Sequence, residues 1–130
     1  MSRAILQPEG WARPRGYANG IAAEGRQVFV SGQIGWDTEQ RIVSDDFALQ
    51  TRQALANIID VLACAGTGPA HLVRLTWYVT SRDEYNAALT EIGTIYRELI
   101  GRHYPAMSVV VVAALLEPRA KVEIEATAVV

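Results

Sequence analysis

The segment "KVEIEA", Lys121 to Ala126, places Glu123 and Glu125 two residues apart, a spacing that puts both carboxylates on one face of a β-strand. Left in water, such a pair is an ordinary solvated face; covered by another surface, each carboxylate must be paired, hydrated or functional. A carboxylate held in place there can act as general base toward a water molecule. Other candidates are weaker. Ser31 has no companion His and Asp at an obvious site, which argues against a hydrolase triad. His71 flanks the start of a strand, and His103 sits in a loop, where exposure is the default. No His/Asp/Glu spacing matches a metal site, and Gly16, Gly32 and Gly35 form neither a dinucleotide fingerprint nor a P-loop. Cys64 is the sole cysteine, which rules out a disulfide framework within one chain and leads to the expectation of a buried, inert thiol.

The elements that must position these residues follow from periodicity. Residues 1–16, with Pro8, Gly10, Pro14 and Gly16, read as an irregular N-terminal segment of a single domain spanning 1–130. "GYANGIAAEGRQVFVSGQIG" reads as a hairpin: a strand near Tyr17–Ala22, a turn at Glu24-Gly25, and a return over Val28–Ser31. "RIV" (Arg41–Val43) is a candidate short strand. Asp45 and Asp46 precede a helix whose apolar stripe is Phe47, Thr51, Leu55, Ile58, Leu62 and Ala65, capped at Gly66. In "HLVRLTWYVT", Val73, Leu75, Trp77 and Val79 share a face. Ser81 with Glu84 opens a second helix as a capping box; its stripe is Tyr85, Ala88, Leu89, Ile92, Tyr96 and Leu99, and Gly101 ends it. Strands at Met107–Val112 and Lys121–Val129 complete an α/β (α+β) layer, a mixed sheet with two helices on one face.

The unbroken apolar run from Val109 to Leu116 is too short for a bilayer span of about 20 residues. As a core strand, it is apolar on both faces, and the chain has helices for only one. A partner is expected for the other, most simply further copies of the chain. The net charge of −2 and scattered basic residues argue against nucleic-acid binding. With no apolar leader over Met1–Trp11, the expectation is a soluble, cytoplasmic protein.

"GYANG", "VFVSGQIG", "LACAG", "YPAMS" and "KVEIEATAV" together resemble the RidA/YjgF family, also labelled L-PSP endoribonuclease-like, over about Gly16 to Val129. The resemblance implies a chorismate-mutase-like domain assembled as a homotrimer, with small-molecule clefts at the subunit interfaces. It implies cofactor-free hydrolysis of reactive enamines or imines to a carbonyl compound and ammonia. The alternative is a non-catalytic small-molecule-binding or regulatory trimer; the acidic balance argues against the RNA cleavage of the older label. By the resemblance, Glu123 handles water, Tyr17, Ser31 and Gln33 line the cleft, and the Val109 backbone N–H contacts the ligand. Trp36 joins them if its loop borders the cleft. The family's "PARS" is "PAMS" here, so Met107 stands where an arginine would grip the substrate carboxylate. A thioether cannot make that bidentate contact. Its loss is worth roughly 2–4 kcal/mol, or about 30- to 1000-fold. Either Arg13, Arg15 or Arg119 reaches the cleft in compensation, or the cleft takes a more apolar ligand.

Overall fold

The computed structural model describes residues 2–130; Met1 lies outside the described residues. The elements are β1 (Ser2–Leu6), β2 (Gly20–Glu24), β3 (Gln27–Ile34), α1 (Phe47–Cys64), β4 (Leu72–Val79), α2 (Arg82–Ala87), α3 (Leu89–Leu99), β5 (Ala106–Val111) and β6 (Val122–Val129). Four strands form a mixed sheet in the order β3-β6-β4-β5, in which only the β4–β5 pair is parallel. The last strand alternates as its sequence suggests up to its end: Val122, Ile124, Ala126 and Ala128 are buried, and Glu123, Glu125 and Thr127 face the other way, half-exposed, but Val129, expected with them, is buried. The buried row meets Leu55, Ile58 and Leu62 of α1 and Ile92, Ile95 and Tyr96 of α3 in one apolar core. Helices therefore cover one sheet face, as expected from sequence. No helix among the described residues is long and apolar enough to cross a membrane.

α1 begins where the sequence places it. Asp46 accepts a hydrogen bond from the Leu49 N–H at 3.0 Å, and Gly66 follows the helix in the left-handed region that suits glycine. Inside the helix Gln50 is fully buried, accepting from the Lys121 N–H at 2.8 Å and donating to the carbonyls of Ser44 and Arg119. One side chain thus ties α1 to the entry of β6, with its polar atoms satisfied.

Several expectations are corrected. The N-terminal segment is not irregular throughout: β1 pairs antiparallel with β2. The anticipated hairpin does not form a ladder, because β2 is taken by β1 and β3 pairs with β6. Gly25 makes the switch between sheets; a Cβ there would stand 2.6 Å from the Val130 carbonyl oxygen. Arg26 and Val130 exchange backbone hydrogen bonds at this point, locking β3 onto β6. "RIV" contributes only an isolated bridge, Ile42 to Trp36. In β4 a register shift between Leu72 and Arg74 brings Leu72 into the core in place of Val73. The second helix breaks at Ala88 into α2 and α3; this turns Leu89 outward and brings in Ile95 and Ile100. Cys64 is exposed at the end of α1, not buried.

The largest correction concerns the valine run. β5 is an edge strand, not a core one, so Val109, Val110 and Val111 are 38%, 43% and 53% exposed. Ala18 bridges to Ala106 and covers only the start of this edge. A long apolar edge is a template for pairing or packing with another surface. The sequence reading thus identified an unsatisfied strand but expected it in the core, where the structure has it at the sheet edge.

Candidate functional site

Glu123 and Glu125 project from the sheet face away from the helices, and the structure distinguishes them. Glu125 accepts a hydrogen bond from the Tyr78 hydroxyl at 2.7 Å. That bond, then burial and the negative charges of Glu125 and Glu123, raise the Tyr78 pKa above its ordinary value. Glu123 accepts no hydrogen bond and forms no ion pair among the described residues, so its lone pairs are available. It stands opposite Tyr78 in the β4–β6 register.

Gly32 makes room for it. β3 shifts register against β6 between Val30 and Gln33, and the two residues in the gap are Ser31 and Gly32. A Cβ on Gly32 would lie 2.2 Å from Glu123 Oε2. Only glycine lets the carboxylate occupy that position. Ser31 is exposed beside it and lines a cavity of about 320 Å³ with Arg74, Thr76 and Glu125. The Gln33 side chain donates to the Ser31 carbonyl at 3.1 Å, bracing the irregular segment.

Met107 lies elsewhere. It pairs in register with Leu75, a residue of the buried helix-side row, so it sits on the opposite sheet face from Glu123. There it lines a cavity of about 310 Å³ between β5 and α3, walled by Trp77, Tyr85, Tyr96 and Tyr104. Tyr96 and Tyr104 stack at 5.5 Å, and Tyr85 meets the Trp77 ring edge-on. Burial raises the pKa of Tyr85 and, more strongly, of Tyr96, so both phenols are neutral at physiological pH.

Val109 follows Met107 along the edge. The Val112 N–H donates to the Val79 carbonyl, and in a parallel ladder alternate residues turn their N–H groups to the same side. Val109 lies three positions earlier, so its N–H faces the free edge. Tyr17 is exposed and lines a third cavity, of about 540 Å³, with Trp11, Arg13 and Arg102. Trp36 is held in the β3–α1 loop, where its carbonyl accepts from Asn57 Nδ2 at 2.9 Å; it lines none of these three cavities.

One chain therefore does not bring the proposed set together. Glu123, Gly32 and Ser31 share the open face, Met107 the helix side, Val109 the edge between them, and Tyr17 a neighbouring hollow. Of the compensating arginines, Arg15 lines the Met107 cavity and Arg13 the Tyr17 cavity. Arg119 does neither: its guanidinium pairs with Asp45, 2.8 Å from Oδ1. His103 is half-buried, with Nε2 2.7 Å from the Leu72 carbonyl and its own carbonyl accepting from the Tyr96 hydroxyl. It fastens the α3–β5 loop rather than serving as an exposed side chain. Sequence reasoning missed Arg97 and the aromatic walls of the Met107 cavity; the one available signal was Gly93, a costly residue for a helix interior.

Comparison with known proteins bears on this arrangement. The family model described as Endoribonuclease L-PSP matches residues 12–130. The 2-iminobutanoate/2-iminopropanoate deaminase of Salmonella typhimurium is 31% identical over 132 residues, 99% of this chain and 98% of the relative. The human protein of the same name is 31% identical over 105 residues, 80% of this chain and 73% of the relative. A conserved Rid-family protein of unknown function from Yersinia pestis, solved by crystallography, superimposes over 100% of both chains with a TM-score of 0.88 at 35% identity.

Proposed function

The chain belongs to the Endoribonuclease L-PSP family, and from that premise we propose that it is a reactive enamine/imine deaminase of altered substrate range, working as a homotrimer. The supporting relatives are those named for 2-iminobutanoate and 2-iminopropanoate deamination. Within the fold, the observation that carries the reading is the Glu123 carboxylate, unpaired and seated over a glycine that admits it.

In the proposed reaction, Glu123 takes a proton from water while the water oxygen bonds to the iminium carbon. The C=N electron pair moves to nitrogen, giving a carbinolamine. Glu123 then passes that proton to nitrogen and takes up the hydroxyl proton as the C=O bond forms and the C–N bond breaks; ammonia leaves, and Glu123 gives the second proton to solvent. The balance needs only water, and no cofactor enters it. The Val109 N–H, on the free edge, is placed to donate to a ligand oxygen. Ser31 and Tyr17 orient the ligand.

A second copy joins the pieces. Met107 and Glu123 lie on opposite faces of one sheet, so one small ligand meets both types of residue only where one chain's β5 edge packs against another's open face. The exposed valine edge, and Phe29 at 72% exposure on the open face, support that packing. Two measurements test the reading. Ammonia release is followed from a panel of imines generated in situ, 2-iminopropanoate included, with Glu123→Gln as control. Mass is measured in dilute solution by light scattering. Turnover abolished by Glu123→Gln in a trimer supports the proposal; a monomer, or hydrolysis no faster than the uncatalysed rate for every imine, refutes it.

A further inference from the structure

We propose that Arg97, assisted by Arg15, supplies the anion grip that Met107 cannot, and that the cavity between β5 and α3 selects ligands carrying a carboxylate on a flat apolar body. This rests on the deaminase reading for its chemistry but not for its binding claim.

Four observations converge. First, the lining of the Met107 cavity contains two arginines, Arg15 and Arg97, and no carboxylate. Neither guanidinium makes a hydrogen bond or ion pair among the described residues; the neighbouring Glu98 is taken by Arg52. Two unneutralised guanidiniums at one cavity favour an anion, and a guanidinium matches a carboxylate in geometry as well as charge. Second, Gly93 sits in the interior of α3 and lines the same cavity. A Cβ there would come within 3.3 Å of Arg97 Nη1, so the bare backbone lets the guanidinium lie down across the helix surface toward the cavity. A helix-interior glycine is unfavourable in itself and calls for such a packing reason.

Third, Trp77 lines the cavity and is only 2% exposed, so its ring is a fixed wall against which a flat ligand can pack. Fourth, the walls are Tyr85, Tyr96, Tyr104 and Trp77, with Met107 as a pliable apolar contact. Methionine in place of arginine enlarges the apolar share of the site while the cationic function passes to the helix side. The substrate class this fits is an imine with a carboxylate and an aromatic or large apolar side group.

The probes are phenylacetate and its uncharged isostere phenylacetamide, titrated calorimetrically into the trimer. The wild type is expected to bind phenylacetate at least about tenfold more tightly than phenylacetamide. Arg97→Gln should weaken phenylacetate about 10- to 100-fold and leave phenylacetamide unchanged. Arg97→Lys should recover part of the loss. Arg97→Gln combined with Met107→Arg should restore it from the strand side. Trp77 fluorescence should change on binding, a signal lost in Trp77→Phe. Equal affinity for the two probes, or Arg97→Gln indistinguishable from wild type, would overturn the proposal. The readouts separate the two readings. Imine turnover that survives with Arg97→Gln binding unchanged defeats this inference alone; Arg97-dependent binding with no turnover of any imine defeats the deaminase reading alone.

Discussion

Gly32→Ala adds one methyl group beneath the Glu123 carboxylate. An ideal Cβ at that position would stand 2.2 Å from Oε2, 2.7 Å from Cδ and 2.9 Å from Cγ. Non-bonded heavy atoms settle at about 3.5 Å, so the carboxylate must retreat by roughly 1 Å. The obstacle is the end of a flexible side chain, and Gly32 is not among the glycines with positive φ. The fold therefore absorbs the change with little loss of stability. A general base does not absorb it so easily, since a misplacement of about 1 Å costs on the order of 100-fold in rate, or about 2.7 kcal/mol of barrier. The assay is ammonia release from the best imine of the panel under saturating conditions, with thermal melting and light scattering on the same sample. The expected result is kcat lowered about 100-fold with the melting temperature and trimer mass unchanged. The double variant Gly32→Ala with Glu123→Gln should be no slower than Glu123→Gln alone, because both act on one carboxylate. A Gly32→Ala enzyme with kcat within about threefold of wild type would show that the close approach has no catalytic role.

Gly35→Ala is predicted to differ from Gly32→Ala, because its Cβ would meet Gln50 Cα at 2.6 Å and so strike the α1 backbone rather than a side-chain tip. A loss of roughly 3 kcal/mol or more in denaturant unfolding is expected, and a loss below about 1 kcal/mol would contradict the packing argument. Gly93→Ala should gain about 0.5–1 kcal/mol of helix propensity, yet weaken phenylacetate binding by displacing Arg97; unchanged binding would count against the seat assigned to that arginine. The Tyr78 hydroxyl should ionise above its ordinary value of 10.0, because its hydrogen bond to Glu125 favours the protonated form. Its folded-state pKa is raised, so any stability from the pair is complete below the unfolded value and is lost as pH rises through the folded one. The phenolate absorbance that disappears in Tyr78→Phe should therefore have its midpoint above 10.0, and Glu125→Gln should lower it. A midpoint at or below 10.0 in the wild type would contradict the bond.

Local pattern alone was enough to read most of the elements. The period-2 alternation of Val122–Val129 and the spacing of Phe47, Leu55, Ile58 and Leu62 dictate which side of each element is apolar, whatever surrounds them. The caps at Asp46 and Ser81 are equally local, since each oxygen bonds an N–H three residues on. The choice of Glu123 as a candidate came from strand alternation and a family resemblance, with no geometry. What sequence left undecided were matters of pairing between distant segments. Nothing in "GIAAEGRQVFV" says that its two strands enter different sheets; that depends on Val130 meeting Arg26 from the far end of the chain. Nor does "SVVVV" say edge or centre, because apolar residues on both faces suit either position until the strand order is known. The difference between Glu123 and Glu125 likewise lies in their neighbours, Tyr78 for one and the bare backbone of Gly32 for the other. Arg97, on a helix, and Met107, on a strand, became parts of one cavity only when α3 packed against β5. Periodicity is a property of a segment and is written in its own residues. A site is a property of contacts between segments, and the chain acquires those only by folding.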